Sequence, residues 1–175
     1  MKRVFLFGLL ALVLAATAAQ ATTVLYVPLK KSIQMSDYVL VGYVQRLEPA
    51  YNAAGEIVTR VHLRVEESLK GDVRPDEVFV FQAWGGSLDG VNVETVGEAR
   101  YNLGDKVMVQ LESIQGEYHT LGLSFGKWNV LREKDGSSSV VRSLFDLNVV
   151  GLTEAPATIM PLHQMREIVR EHAYR

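Results

Sequence analysis

The chain has 175 residues, no cysteine, 48% hydrophobic and 22% charged residues, and a formal net charge of −2. That length is a prior for one domain, and the balance excludes long disorder and a coiled coil. Zero cysteine excludes disulfide staples, thiolate zinc sites, a Cys nucleophile and lipid attachment at a lipobox cysteine, while a pI near 6.1 argues against a nucleic-acid binder that works by counterion release.

Met1-Lys2-Arg3 is a short basic start, and Val4 to Ala16 is an apolar run ending in Thr17-Ala18-Ala19-Gln20-Ala21. A positive start, an apolar stretch of about 7–15 residues and an A-x-A site define a secretory signal peptide. Residues 1–21 are therefore expected to be a leader cut after Ala21, leaving 22–175 as a single domain. The run is too short for a stable membrane span, which needs about 18–20 apolar residues. Loss of Lys2 and Arg3 takes the net charge from −2 to −4. The expected address is the periplasm or the medium.

Thr22 to Pro28 reads as an extended lead-in. Leu29, Ser32, Ile33 and Ser36 share one face at helical spacing, which predicts a short helix over 29–36. Tyr38–Val44 is rich in β-branched and aromatic residues and reads as a buried strand, with a turn over Glu48–Gly55. Ile57, Thr59, Val61, Leu63 and Val65 alternate with Val58, Arg60, His62, Arg64 and Glu66, the pattern of a half-buried antiparallel strand. Val78–Ala83 is apolar on both faces and reads as a doubly covered strand. Trp84-Gly85-Gly86 ends it, Ser87–Gly90 reads as loop and Val91–Val96 as a weaker strand.

Lys106–Glu112, Tyr118–Leu123, Lys127–Arg132 and Ser139–Arg142 read as further strands, the last two joined by an Asp135-Gly136 hairpin turn. Ser143–Thr158 reads as loop. Pro161 opens a helix over 161–173 with the apolar stripe Leu162, Met165, Ile168, Val169 and His172. The expected fold is mainly β: a small antiparallel OB-like barrel, with a sandwich as the alternative, a short N-terminal helix and a C-terminal helix. The strands follow one another too closely for βαβ crossovers, which argues against a parallel sheet.

The order Asp37-Tyr38-Val39-Leu40-Val41-Gly42-Tyr43-Val44, Thr59, Val65-Glu66-Glu67-Ser68-Leu69-Lys70-Gly71, Gly85-Gly86, Leu103-Gly104-Asp105-Lys106-Val107 and Gly126-Lys127 resembles a group of uncharacterised bacterial exported proteins. The resemblance covers about Leu29 to Leu131, through short structural motifs. That group is in turn remotely similar to the OB-like barrel of tissue inhibitors of metalloproteinases and netrin-type modules. Those inhibitors chelate a protease zinc through a disulfide-anchored N-terminal cysteine. This chain has none, so the resemblance implies the fold and not the inhibitory mechanism.

Chemistry-bearing constellations are sparse. Of the four histidines, His163 and His172 are nine apart, no H-E-x-x-H occurs, and His163 with Glu167 is a lone i, i+4 pair. No metal site and no cofactor is expected. No G-x-S-x-G occurs. Glu66 and Glu67 point to opposite strand faces and cannot cooperate as acid and base. Gly85-Gly86-Ser87 lacks the helix N-terminus that a phosphate cradle needs. Trp84, Trp128, Tyr43, Tyr118 and Phe125 lack a basic groove beside them and read as core and rim.

Two candidate binding features remain. Arg60, His62 and Arg64 lie in a row on one strand face, able to meet an acidic partner surface or to serve as a solvated face that discourages strand association. Trp84, Gly85 and Gly86 begin a long loop region, and loops on a rigid scaffold are where binding tends to reside. The expected function is a secreted or periplasmic non-catalytic interaction module for a protein partner in the envelope or the medium, with no nucleic acid and no catalytic residue. The alternatives are an envelope hydrolase using His119 or His62 with a carboxylate, and a structural envelope protein.

Overall fold

In the computed structural model, which describes residues 22–144 and 147–174, the chain opens with strand β1 (Thr22–Leu25) and the short helix α1 (Leu29–Met35). The expected leader and its cleavage position, Ala21, lie outside the described residues. Three long strands follow, β2 (Tyr38–Tyr51), β3 (Ile57–Lys70) and β4 (Val78–Leu88), and then a four-residue strand, β5 (Val91–Glu94). After a segment without regular structure come β6 (Lys106–Ile114), β7 (Glu117–Thr120), a 3-10 turn at Leu123–Gly126, β8 (Lys127–Arg132) and β9 (Ser138–Val141). The chain finishes with β10 (Leu147–Val150), β11 (Ile159–Pro161) and helix α2 (Leu162–His172).

The fold is mainly β, with 51% of residues in strands. β2 pairs with β3 and β6, β3 with β4, and β7 with both β6 and β4, so the main sheet is ringed through five strands. The last seam is a single parallel pair, Gln82 with His119. From β6 the sheet runs on through β8, β9 and β11, and at its other end β4 carries β5. β1 and β10 make a separate parallel pair.

The expectation of a wholly antiparallel sheet is therefore corrected: the sheet is mixed. Strand spacing limits only consecutive strands, and β4 reaches a parallel neighbour because β5, residues 95–105 and β6 carry the chain back. The doubly covered reading of Val78–Ala83 is also corrected. Phe79, Phe81 and Ala83 turn to the core, but Val78 and Val80 on the other face are 44% and 41% exposed.

The β2–β3 hairpin is longer than its apolar runs because the turn is tighter than Pro49 suggests. The Asn52 side chain accepts the Ala54 and Glu56 N–H groups, closing the chain over 52–56 and leaving Pro49 within the ladder opposite Thr59. β2 carries three register irregularities. At one of them a Cβ on Gly42 would lie 2.2 Å from the Arg64 carbonyl oxygen, so glycine permits the close approach.

Two cores lie on opposite faces of β2 and β6. Inside the ring, Leu40, Val44, Val61, Leu63, Val65, Phe81, Val107, Val109 and Leu111 pack together, with Tyr38, Phe79 and Tyr118 in mutual aromatic contact at one side. Outside it, Val39, Val41, Met108, Trp128, Val130 and Val140 meet Ile33 of α1 and Leu162, Met165 and Val169 of α2. The α2 stripe is as the sequence predicts, with Ile168 only half-buried. Two side chains of β3 hold the helices: Lys70 Nζ donates to the Ile33 and Gln34 carbonyls at the end of α1, and Glu67 accepts Arg166 of α2.

Because Met165 is fully buried between helix and sheet, Met165→Ala is expected to lower the unfolding free energy by about 2–5 kcal/mol. Arg166→Ala, at a half-exposed ion pair, is expected to cost about 1 kcal/mol or less. Urea denaturation of both variants against the parent measures the difference.

Candidate functional site

At one end of the ring the interior core opens into a cavity of about 380 Å³. Its base is apolar, formed by Leu47 of β2, Ala83 of β4, and Ala99 and Tyr101 of the returning segment. The wall includes Thr59, Trp84, Gly85, Gly86, Val93, Glu94, Glu98 and Arg100. Ser87–Gly90, read above as loop, contains a tight turn: Asp89 and Gly90 both have positive φ, the type I′ geometry that joins β4 directly to β5. β5 thus folds back over Gly85, whose φ is +91° and where a Cβ would stand 2.5 Å from the Val93 carbonyl oxygen. Any other residue would lift β5 off the cavity.

Glu98 is the chemical centre of this cavity. One carboxylate oxygen accepts the Ala99 N–H at 3.0 Å, and the Trp84 N–H also donates to this carboxylate. The other, Oε2, is buried and has no hydrogen-bond partner among the described residues. Burial pushes the carboxyl up to about 7 against the opposing pull of the two N–H groups. Glu98 also walls a second cavity of about 210 Å³, shared with Arg100, Ser124, Lys127, Asn129 and Ser143.

The neighbouring cations are engaged elsewhere. Arg100 pairs with Glu94 at 2.7 Å on the exposed rim. Lys127 donates to the Arg100 carbonyl and lies 4.9 Å over the Tyr101 ring, with its pKa lowered by burial. Tyr101 is anchored below by a 2.7 Å hydrogen bond with Thr120.

Comparison with family models, with curated proteins and with solved structures finds no match to this chain. Its functional residues are therefore judged on geometry alone. The expected pair of features splits in two. Trp84, Gly85 and Gly86 line the cavity, while Arg60, His62 and Arg64 lie on the β3 face away from it.

The cationic row carries its own counter-charges. Glu48 of β2 sits opposite Arg60, accepts Arg46 at 2.7 Å and lies 3.2 Å from His62 Nε2, and Asp76 lies 3.5 Å from Arg64. The His62–Glu48 contact is a histidine–carboxylate pair, but it lies outside the cavities described above. His119 is buried, its ring stacked on Trp84 at 4.4 Å and 12°, with Nδ1 unpartnered among the described residues. Burial lowers its pKa below 6.5, so the ring is neutral at neutral pH. Among the described residues no three His, Asp or Glu side chains are grouped to hold a metal ion.

Sequence reasoning missed Glu98, Arg100, Tyr101 and Lys127 as site residues. Glu98 stands in a stretch with no periodicity, so nothing local marks it as a site residue.

A carboxyl whose folded pKa exceeds its unfolded value binds protons more readily in the folded state. Stability from it is lost as pH rises from about 4.5 through about 7. Glu98→Gln is therefore expected to be more stable than the parent above pH 7, by on the order of 2–3 kcal/mol. The advantage should vanish below about pH 4. Denaturant midpoints across that range measure it.

Proposed function

We propose that this protein is a non-catalytic binding module on an OB-like barrel, exported to the periplasm or the medium, that takes a protein partner at the β4–β5 corner. The barrel reading is supported by the strand order. Taken in sequence, the ring runs first, second, third, fifth, fourth and back to the first, closed by one short parallel pair, as in a partly open Greek-key barrel. The export reading is supported by the basic start, apolar run and Ala19-Gln20-Ala21 of residues 1–21. The resemblance to exported proteins with such barrels points the same way.

The observation that carries the binding reading is β5. It ends the sheet, all four of its residues are exposed, and Val91 and Val93 are 52% and 39% exposed. Natural edges are blunted by short length, charges, proline or bulges, and β5 has its shortness and Glu94, which is paired with Arg100. An extended peptide can add to such an edge through main-chain hydrogen bonds while side chains enter adjacent pockets. The cavity beneath β5 supplies that pocket. The Arg60-His62-Arg64 face is the less favoured surface, because Glu48 and Asp76 already answer its charge.

Leu88 and Val91 close the two-residue turn, so they form the hydrogen-bonded pair and the Asn92 N–H points to the free edge. Asn92→Pro removes that donor without cutting the β4–β5 ladder. With the protein as bait in native periplasm or culture fluid, the partner retained by the parent is expected to be retained by Asn92→Ala and lost, about tenfold or more, with Asn92→Pro. Quantitative mass spectrometry of the eluates reads this out. Equal retention by Asn92→Pro, with loss by Arg60→Glu, would move the contact to the β3 face.

A further inference from the structure

We propose that the cavity beneath β5 is a socket for a basic side chain, lysine or arginine, presented by the segment that pairs with β5, and that Glu98 is its anionic anchor. The inference rests on the binding reading above and names the chemistry of the partner.

Four observations converge on a cation. The first is the unpartnered Glu98 Oε2, a buried acceptor on a side chain that walls two cavities. Leaving such an acceptor unsatisfied is costly, and a charged donor is the strongest partner for it. The second is its fixed aim: two main-chain N–H groups, from Trp84 and Ala99, hold the carboxylate and leave one oxygen for a ligand. The third is the shape of the cavity. An apolar base of Leu47, Ala83 and Tyr101 under a polar end suits an aliphatic stem with a charged tip, the way lysine and arginine divide their surface. At about 380 Å³ the cavity lies at the small end of the range for ligand pockets, which fits one long side chain.

The fourth is the state of every other charge around Glu98. Glu94 of β5 and Arg100 of the returning segment neutralise each other at the rim, and Lys127 of β8 is spent on the Arg100 carbonyl. Tyr101 below donates or accepts within its bond to Thr120, and His119 behind Trp84 is uncharged at neutral pH. No cation competes for the carboxylate, and no spare cation invites an anion. A four-residue edge makes few main-chain bonds, so an anchoring side chain also explains how so short a strand could hold a partner.

The socket has a built-in pH dependence. Glu98 is half neutral near pH 7 because of burial, and a cation binds the ionised form. Binding therefore releases a proton below pH 7 and strengthens as pH rises.

The probe is Nα-acetyl-lysine methylamide, titrated into the purified protein and followed through the amide signals of Trp84 and Ala99. Saturable shifts of both are expected at pH 8, with an apparent affinity about tenfold weaker at pH 6. Glu98→Gln should remove them at both pH values with the remaining spectrum unchanged, and Val93→Trp, which fills the mouth from an exposed strand, should remove them too. The Nε-acetylated probe should give none. Absence of shifts with the parent at pH 8 up to the solubility of the probe overturns the socket. So does equal binding of the Nε-acetylated probe or equal binding by Glu98→Gln. Lysine binding with no Asn92→Pro effect on capture would sink the edge reading alone. The reverse pattern would sink the socket alone.

Discussion

Everything in this structure depends on β2 and β6 being covered on both sides. Leu40, Val44, Val107 and Val109 face the ring interior, while Val39, Val41 and Met108 face the helices and Trp128. A strand buried on both faces must satisfy its main chain entirely through neighbours, so β2 is bound to β3 on one side and β6 on the other. With that pair fixed, β3 and β4 on one side and β7 on the other can only curl toward each other. They meet at one residue pair, Gln82 with His119, and the stacked rings of Trp84 and His119 cover the seam. The seam then fixes the main chain of Trp84, whose N–H is half of the grip on Glu98. The candidate site is thus a consequence of how the ring is shut, and it is made of rigid elements on three of its sides.

Legibility in the sequence followed the reach of each interaction. β3 was readable because alternation reports a sheet face, and α2 because its stripe reports a helix face; the Asp135-Gly136 turn marked β8, and Lys127–Arg132 was placed to the residue. The strands that escaped were those whose existence depends on a distant partner. Leu147–Val150 pairs with Thr22–Leu25 across the whole domain, and Ile159–Pro161 pairs with Ser139–Val141 beyond a long connection. Neither segment carries enough local pattern to announce a strand. Asp89-Gly90 was legible and was overlooked because the apolar flanks of the turn, Leu88 and Val91, are weakly alternating on either side.

The site was half legible for the same reason. Gly85 was recognisable as a turn glycine, but the need for it comes from the Val93 carbonyl, which no local reading supplies. Trp84 was singled out as the end of a strand, and its side chain proves to lie on His119, thirty-five positions away in sequence. Glu98 carried almost no signal, since its environment is assembled from β4, β5 and the segment returning to β6. A row such as Arg60-His62-Arg64 is the opposite case. It was conspicuous in sequence because alternation aligns it, yet Glu48 and Asp76 arrive from other elements and offset it.

Three ionisable groups among the described residues, Glu98, His119 and Arg142, have buried atoms without a partner, and the surroundings of Glu98 and Arg142 tell a site from a strut. Arg142 Nε donates to the Ala157 carbonyl at 2.7 Å and Nη1 to the Phe125 carbonyl at 3.0 Å, with the guanidinium 4.1 Å and 4.4 Å over the rings of Phe125 and Trp128. Burial lowers its pKa to about 10, which still leaves it charged at any physiological pH. Aromatic faces and carbonyl oxygens answer that charge from within the protein, and the effect is to staple the segment after β9 to the 3-10 turn and β8. Glu98 has two N–H groups on one side and open volume on the other, and burial brings its titration to neutral pH. A charge that the fold encloses and answers is architecture. Glu98 is instead left short of a partner beside open volume, at a stability cost that glutamine would avoid.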